Sequence, residues 1–440
     1  MTNFNFTRRS VLQGTAAAGA GVLGGTDLLR FAKAWAQDAQ WKPEAGAKIN
    51  LIRWKRFVVA EDEAFMATVA AFSKATGVAI TVSSESYEDI QPKAAVAANT
   101  GQGLDIVWGT HALPQLFPTK VLDMTDVANY LGKKYGGWVP AAEATCRLGD
   151  KWLAIPIAYA GGYMNYRIKA MNDAGFKEFP KDFPGFLDLC KALKAKNTPA
   201  GFALGHATGD ANSWLHWILW GHGAYTVDKD DKVIINSAET RKALDYAKAL
   251  SETFIPGVGS WNDSSNNKAF LAGELYLTSN GISIYVAAQA DPTKKAIADD
   301  MDHAVMPVGP VGKPTELQLA FPMFAFNFTK SPNACKAFMA FMLEKENFDK
   351  WLIGSQGYLT HCLNAYDANP VWTADPKRAP FANAGKRTLT AAGIGHVGEN
   401  AAAAIGDFIV VDMFANFCLG REDANGTIAI AERQLKRIYR

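Results

Sequence analysis

Aromatic and polar residues cluster where predicted strands end and loops begin. Trp54 closes one strand, Tyr87 follows the next, and Trp108 ends a third. Flat rings pack on the C–H faces of a sugar or polyol, while amide, carboxylate and imidazole groups bond its hydroxyls. The pattern predicts a cleft for a neutral polyhydroxylated ligand, and its candidate contact residues are Trp54, Arg56, Tyr87, Glu88, Trp108, His111, Tyr159, Asp210, Asn212, Trp214 and Asn280.

Some of these residues also fit a purely structural role. Trp214, Trp217 and Trp220 recur every three residues, as on one buried helix face. This spacing favours core positions for Trp217 and Trp220. Trp214 stands at the helix start beside Asp210, so contact with ligand and burial in the core both remain open for it.

The charged candidates leave similar alternatives. Arg53 and Arg56 either pair with acidic side chains or, if they face the cleft, favour an acidic or carboxylated ligand. Glu88 and Asp89 also suit an ordinary solvated helix start. His111 fits contact and structural roles equally well.

The sequence carries no catalytic or metal-binding motif. It has no HExxH, no GxSxG, no GxxxxGK[ST] and no paired Cys/His spacing for zinc. We therefore expect neither an enzyme nor a metal or cofactor. A glycosidase needs only two carboxylates that folding brings together, so a secreted glycoside hydrolase or lyase remains the alternative.

The segment Gly19 to Gly24 has the spacing of a dinucleotide-binding fingerprint but lacks its context. A strand should precede the first glycine, and no β-branched run does. Arg8-Arg9 instead precede an uncharged stretch, and Ala34-Trp-Ala36 follows. This order indicates a twin-arginine-type signal peptide over residues 1–36, cleaved near Ala36, and hence a periplasmic protein; an uncleaved anchor is the alternative.

Strands and helices alternate after this segment. Strands are predicted at 48–54, 78–82 and 104–108, with a helix between 61 and 77 and another around 92–98. A βαβαβ order implies a parallel sheet covered by helices, with ligands beyond the carboxyl ends of its strands. A second α/β set begins near residue 160. It includes a helix capped at Asn236, a polar loop over 262–267 and a helix over 333–352.

The composition limits the binding partners and the domain organisation that the sequence can have. Residues 1–36 hold four of the 45 Lys and Arg and one of the 43 Asp and Glu, so the remaining 404 residues carry a net charge of −1. A net charge this close to zero gives no indication of a basic surface that would bind nucleic acid or an anionic membrane. Such a length exceeds one compact core and predicts two domains. The five cysteines form no disulfide framework, and Cys190 fits a core position.

An ordered set of motifs carries a family resemblance over about residues 50 to 362. The motifs are Leu104-Asp-Ile-Val-Trp108 with Leu122-Asp-Met-Thr-Asp126, Gly149-Asp-Lys-Trp-Leu-Ala-Ile-Pro156, residues 163–175, Lys268-Ala-Phe-Leu-Ala-Gly-Glu274 with Thr278-Ser-Asn-Gly281, and Met306-Pro-Val-Gly-Pro310. Their order resembles the extracellular solute-binding proteins of ABC importers, in the sugar-binding group typified by maltose-binding protein.

The resemblance implies a two-lobed periplasmic-binding-protein fold, each lobe a mostly parallel sheet flanked by helices, with the ligand cleft between the lobes. It implies an N-terminal lobe of residues 37–157 and 304–330 and a C-terminal lobe of residues 158–303 and 331–440. Chain crossings are expected near 155–160, 303–307 and 327–332, and Tyr358 joins the contact residues. The expected function is hinged capture of a solute by a monomer that delivers it to a membrane permease. A ligand carrier for a chemoreceptor would have the same fold.

Overall fold

The computed structural model describes residues 25–160, 162–382 and 384–440. The sequence features at Arg8-Arg9 and at Gly19 to Gly24 lie outside the described residues. The strands are β1 (Lys48–Trp54), β2 (Ala79–Glu85), β3 (Ile106–Trp108), β4 (Arg147–Leu148), β5 (Lys151–Trp152), β6 (Ile155–Ala160), β7 (Tyr163–Arg167), β8 (Leu277–Asn280), β9 (Met301–Val305), β10 (Glu316–Leu317), β11 (Leu319–Ala325), β12 (Thr360–His361) and β13 (Thr388–Leu389). The α-helices are α1 (Gly25–Asp38), α2 (Val59–Thr76), α3 (Ile90–Thr100), α4 (Thr125–Lys134), α5 (Pro140–Cys146), α6 (Ile168–Asp173), α7 (Phe183–Ala195), α8 (Asp210–Gly221), α9 (Ala238–Ser251), α10 (Ser265–Ala272), α11 (Ser283–Ala290), α12 (Lys295–Asp300), α13 (Pro332–Met342), α14 (Lys345–Gly354), α15 (Glu399–Gly406), α16 (Ile409–Cys418) and α17 (Ala424–Ile438).

A six-stranded sheet, in the order β12-β6-β11-β3-β1-β2, forms the centre of what we call the first lobe. Strand β1 pairs in parallel with β2 and with β3, so the predicted βαβαβ order is confirmed. The last four residues of β1 are all buried, because helices cover both faces of a parallel sheet. Strand β11 returns from much later in the chain and lies antiparallel between β3 and β6.

A three-stranded sheet, in the order β8-β7-β9, forms the centre of the second lobe. Strand β7 is antiparallel to both neighbours, which differs from the mostly parallel sheet predicted for this lobe. The chain enters β7 directly from β6, whereas β8 and β9 come later and run the other way on its two sides. The two-lobed α/β architecture itself is confirmed.

Helices α13 and α14 pack on the first lobe. The ring of Phe338 lies 5.3 Å from that of Phe72 and 6.2 Å from that of Phe65, and Trp351 lies 6.1 Å from Trp108. These contacts correct the assignment of residues 331–440 as a whole to the second lobe.

The third crossing of the chain therefore comes later than expected. A crossing near 327–332 does not occur, because β11 and the residues after it stay with first-lobe strands. The chain passes between lobes after β6, between β9 and β11, and between β13 and α15. Helices α15 to α17 then pack in the second lobe, around buried residues such as Ile405 and Phe414.

Helix α1 packs on the outer side of the first lobe. Its Leu28 and Ala32 are buried, the ring of Phe31 stacks on Phe341 at 5.7 Å, and the ring of Trp35 lies 5.2 Å from the same Phe341. The apolar face of this segment is thus covered by the folded protein. Cleavage near Ala36 would remove most of this helix. The cleavage itself stays a prediction.

Local signals set several helix ends. Helix α2 ends at Gly77, whose φ of 79° is left-handed and favours glycine. Helix α9 begins one residue later than predicted, because Ser237 and not Asn236 is the cap: its Oγ accepts the N–H of Thr240 at 3.1 Å. Residues 265–267, predicted as loop, open helix α10.

The helix predicted over 333–352 is two helices. Glu344 breaks it with extended backbone, at φ −66° and ψ 139°. Its buried carboxylate accepts hydrogen bonds from the hydroxyls of Tyr130 and Tyr135, at 2.7 and 2.5 Å, and from Lys134 Nζ at 2.6 Å. These bonds to the α4 region stabilise the break.

One stretch of the described residues, Glu399–Cys418, is long and apolar enough to cross a membrane. Of its most apolar window, 56% is buried within the protein, as in a core helix. The stretch also bends at Phe408, where φ is 56°. The five cysteines are likewise buried, and none forms a disulfide.

Candidate functional site

A cavity lies between the two lobes, where the first-lobe strands end and helix α8 begins. We call it the cleft cavity; the free space between its lining atoms, including the part open to solvent, is about 570 Å³. It is lined by Trp54, Phe57, Tyr87, Ala160, Gly162, Gly209, Asp210, Ser213, Asp263, Ser279, Asn280, Gly281, Ser283, Leu319, Phe321, Tyr358 and Leu359. Of the predicted contact residues, the structure brings together Trp54, Tyr87, Asp210, Asn280 and Tyr358 here.

The first lobe contributes an aromatic wall. Trp54 ends β1 and stacks on Phe321 of β11, with ring centroids 4.4 Å apart. Tyr87 meets the Trp54 ring edge-on at 5.3 Å. Burial raises the pKa of Tyr87 well above its usual range, and the negative charge of Asp263 adds to the effect. Phe321 and the guanidinium of Arg56 both lie over the Trp54 ring, so the wall offers aromatic edges together with a protonated hydroxyl.

The second lobe contributes two carboxyl groups at the start of α8. Asp263 Oδ1 accepts the backbone N–H groups of Gly209 and Asp210 at 2.9 and 2.8 Å, which fixes the first turn of the helix. Burial raises the pKa of Asp263 to about 6, against the lowering effect of these N–H groups. Burial also raises the pKa of Asp210, and Asp263 is the next cause.

Asn280 lies beside the carboxyl groups in a local amide network. Its Nδ2 donates to Asn267 Oδ1 at 2.6 Å and to Ser283 Oγ at 3.2 Å, and its Oδ1 accepts the N–H of Gly281 at 2.8 Å. The amide is thus held in one orientation at the edge of the cavity. On the first-lobe side, burial raises the pKa of Tyr358 to about 12.

Arg53 and Arg56 are neutralised inside the first lobe and line neither cavity described here. Arg53 forms ion pairs with Glu61 and Asp62, and Arg56 Nε lies 3.0 Å from Glu61 Oε2. The guanidinium carbon of Arg56 also lies 3.1 Å from the centre of the Trp54 ring. The first of the two alternatives for these arginines, internal pairing, is the one observed.

A second cavity, which we call the side cavity, adjoins the cleft; its free space, including the part open to solvent, is about 700 Å³. Glu88 and His111 line it, together with Thr208 and Phe408 of the second lobe. His111 Nε2 lies 2.9 Å from Thr208 O, so this pair joins the two lobes. Burial lowers the pKa of His111 to about 4, which keeps the ring neutral near pH 7.

Tyr159 and Trp108 point away from the cleft cavity. Successive residues of a strand face opposite sides of a sheet, so Ala160 lines the cavity and Tyr159 does not. The Tyr159 hydroxyl accepts the N–H of Gly385 at 2.6 Å on the far side. Trp108 is fully buried, and its Nε1 donates to Phe321 O at 3.2 Å.

Trp214 faces the interior of the second lobe, and Asn212 lines neither cavity. Trp214 is fully buried, donates to Ala203 O at 2.7 Å and lies 5.5 Å from the Phe202 ring. Asn212 is buried, and its Nδ2 donates to Thr208 O at 3.1 Å. The structure thus gives Trp214 the core position that the sequence left open, while Ser213 faces the cavity.

Several residues that line the cleft cavity carry little or no signal in the sequence. Asp263 lies in a polar run that the sequence predicts only as a loop. A carboxylate just before a helix is nevertheless a recognised signal for the start of that helix. Phe321 and Leu319 come from β11, whose position beside β1 no local pattern reveals. Small residues such as Ser213 and Ser283 carry no distinctive sequence signal.

Most of the chain matches the model of a known protein family. A family model for bacterial extracellular solute-binding proteins matches residues 67–380. No curated protein sequence matches the chain.

Solved structures resemble the whole fold. The GacH receptor of Streptomyces glaucescens GLA.O, solved without ligand and with acarbose, has a TM-score of 0.75 at 18% identity, over 90% of this chain and 99% of that one. A sugar transporter from Arthrobacter chlorophenolicus A6 with bound laminaribiose has 0.75 at 18%, over 89% and 99%. An ABC transporter solute-binding protein from Agrobacterium vitis S4 with bound D-mannitol has 0.74 at 14%, over 89% and 98%. At these identities the likeness shows the fold, with two lobes.

Proposed function

Because the chain belongs to the bacterial extracellular solute-binding proteins, we propose that it is the solute-binding component of an ABC importer. It captures a sugar, polyol or related hydroxylated solute and delivers it, as a monomer, to a permease in the inner membrane. The observation that carries this proposal is the cleft cavity, where aromatic rings of one lobe face carboxyl and amide groups of the other. The D-mannitol and laminaribiose named for two structural relatives support the solute class.

The lobes close around the solute by bending at the three chain crossings. Hydrogen-bonding groups of both lobes reach the solute only in the closed form, so the solute stabilises that form by its differential affinity. Contacts such as His111 to Thr208 form across the same boundary and support closure. The proposed contact residues are Trp54, Tyr87, Asp210, Ser213, Asp263, Asn280 and Tyr358.

X-ray scattering tests this proposal. Candidate solutes are first screened by thermal shift, since a ligand at 100 times its Kd stabilises the native state by about 2.7 kcal/mol. We expect the radius of gyration to fall on saturation with a solute that binds. Saturating binding without compaction would contradict hinged capture.

The same samples separate a carrier from an enzyme. A solute-binding protein returns its solute unchanged, so chromatography after long incubation should recover the input compound. New products from a sugar polymer would instead favour the secreted glycoside hydrolase or lyase.

Export is the remaining part of the proposal. We propose a periplasmic protein exported through the twin-arginine signal over residues 1–36 and cleaved near Ala36. The intact mass of the periplasmic form tests the site, and a chain that begins at Gln37 is expected. A mass that still includes residues 25–36 would show that helix α1 is kept, in line with its packing on Phe341.

A further inference from the structure

The cleft cavity holds buried acidic oxygens without partners. Among the described residues, Oδ2 of Asp263 and Oδ2 of Asp210 accept no hydrogen bond, and the hydroxyl of Tyr87 has no partner either. Asp263 is only 6% exposed and Tyr87 only 9%. A buried polar group without a partner is costly, so these atoms are arranged for something that enters the cavity.

The acidic groups have no cation near them inside the cavity. No basic side chain is among the cavity-lining residues of the described chain. Arg53 pairs with Glu61 and Asp62, and Arg56 pairs with Glu61 through Nε, although its two terminal nitrogens have no hydrogen-bond partner among the described residues. The N–H groups of Gly209 and Asp210 stabilise Oδ1 of Asp263, whereas Oδ2 has no donor, so a cationic donor on the ligand would complete the partners of this carboxylate.

The surrounding groups add to the negative character. Glu88 is exposed on the side cavity and its charge helps to raise the pKa of Asp263. The titratable groups that act on or are affected by Asp263 are thus Asp210, Tyr87 and Glu88. Arg56 lies over the Trp54 ring, and its charge acts on Tyr87 and Tyr358.

We infer that the solute carries a protonated amine on a small polyhydroxylated body, such as an amino sugar or an amino polyol. This inference rests on the proposed transport function. The ammonium group donates to Oδ2 of Asp263 and Asp210, and the aromatic wall covers the carbon skeleton. A neutral polyol would supply hydrogen bonds but no charge opposite to that of Asp263. An anionic sugar acid would be repelled.

Matched pairs of compounds test the inference in phosphate buffer at pH 7.5, free of other amines. The pairs are D-glucosamine with D-glucose, D-galactosamine with D-galactose, and D-glucamine with D-glucitol; N-acetyl-D-glucosamine and D-glucuronate serve as uncharged and anionic references. We expect the amine of at least one pair to bind tenfold or more tightly than its hydroxyl partner in calorimetric titrations. N-acetylation should abolish the advantage, because it removes the charge.

The variant Asp263→Asn links the preference to the site. It should remove most of the preference for amine over hydroxyl, whereas Asp62→Asn, which changes an acidic residue outside the cavity, should retain it. The preference should also weaken as pH falls through about 6, where Asp263 takes up a proton in the free protein. Retention of the full preference in Asp263→Asn would overturn the assignment.

The outcomes separate this inference from the proposed function. If neutral members bind and compact the protein as well as the amines do, the inference fails and solute capture stands. If no member of any pair binds or compacts the protein, the proposed solute class fails along with the inference.

Discussion

The variant Glu61→Gln is expected to lose about 3–5 kcal/mol in the free energy of unfolding, the range found when one partner of a buried ion pair is removed. Glu61 is fully buried and accepts from Arg53, from Arg56 Nε at 3.0 Å and from Trp351 Nε1 at 3.2 Å. Glutamine keeps the volume but not the charge. Arg53 would then keep only Asp62, which is partly exposed, and Arg56 would lose the one carboxylate with which it pairs among the described residues.

Urea unfolding measures this loss, and two neighbours on helix α2 serve as controls. Glu63→Gln alters an exposed carboxylate two residues further along the same helix. It should change the free energy of unfolding by less than about 0.5 kcal/mol. Asp62→Asn removes a pair whose carboxylate is 39% exposed and should cost about 1 kcal/mol or less. If Glu61→Gln unfolds at the same urea concentration as Glu63→Gln, the cluster does not support the first lobe as described.

The same cluster explains why sequence patterns could not settle the role of Arg56. The residue follows a strand end, where ligand contacts gather, and it is also five residues from Glu61 at the start of a helix. Both arrangements are compatible with the spacing. The ion pair of Arg56 with Glu61 and the position of its guanidinium over the Trp54 ring show that the charge is used internally.

Predictions that depend on local spacing were the most accurate. The bounds of β1, 48–54, and the end of α2 at Gly77 follow from a buried apolar run and a glycine stop signal. The site residues Tyr87 and Asp210 were found because each stands at the end of a strand or the start of a helix. Such positions meet at one edge of an α/β sheet whatever the remaining chain does.

Predictions were less accurate where they depend on which face of a strand or helix a residue occupies, or on which lobe a helix packs against. Tyr159 and Ala160 differ by one residue and face opposite sides of β6, and a strand with both faces buried gives no sequence signal for its phase. The same holds on helix α8, where Ser213 lines the cavity and Trp214 is core. The place of α13 and α14 on the first lobe depends on long-range contacts such as Phe338 with Phe72.

At Gly209 the two lobes approach each other closely beside the cleft cavity. A Cβ at this position would lie 2.9 Å from Leu319 Cδ2, 3.0 Å from Asp263 Oδ1 and 3.7 Å from the Tyr87 hydroxyl. Leu319 and Tyr87 belong to the first lobe, whereas Gly209 and Asp263 belong to the second. The backbone of Gly209, at φ −87° and ψ −61°, accepts any L-residue, so a side chain here acts by volume alone.

The variant Gly209→Val should therefore weaken solute binding while the lobes still fold. Overpacking typically costs about 1–3 kcal/mol, which corresponds to about 5- to 150-fold in Kd if the closed form bears the clash and the open form does not. Gly209→Ala should have a smaller effect in the same direction, and compaction in X-ray scattering should diminish in the same order. Gly398→Ala, where no atom lies within 4 Å and the backbone is extended, should leave Kd unchanged. Undiminished affinity and compaction in Gly209→Val would mean that the solute is bound without the approach of Leu319 and Tyr87 to helix α8.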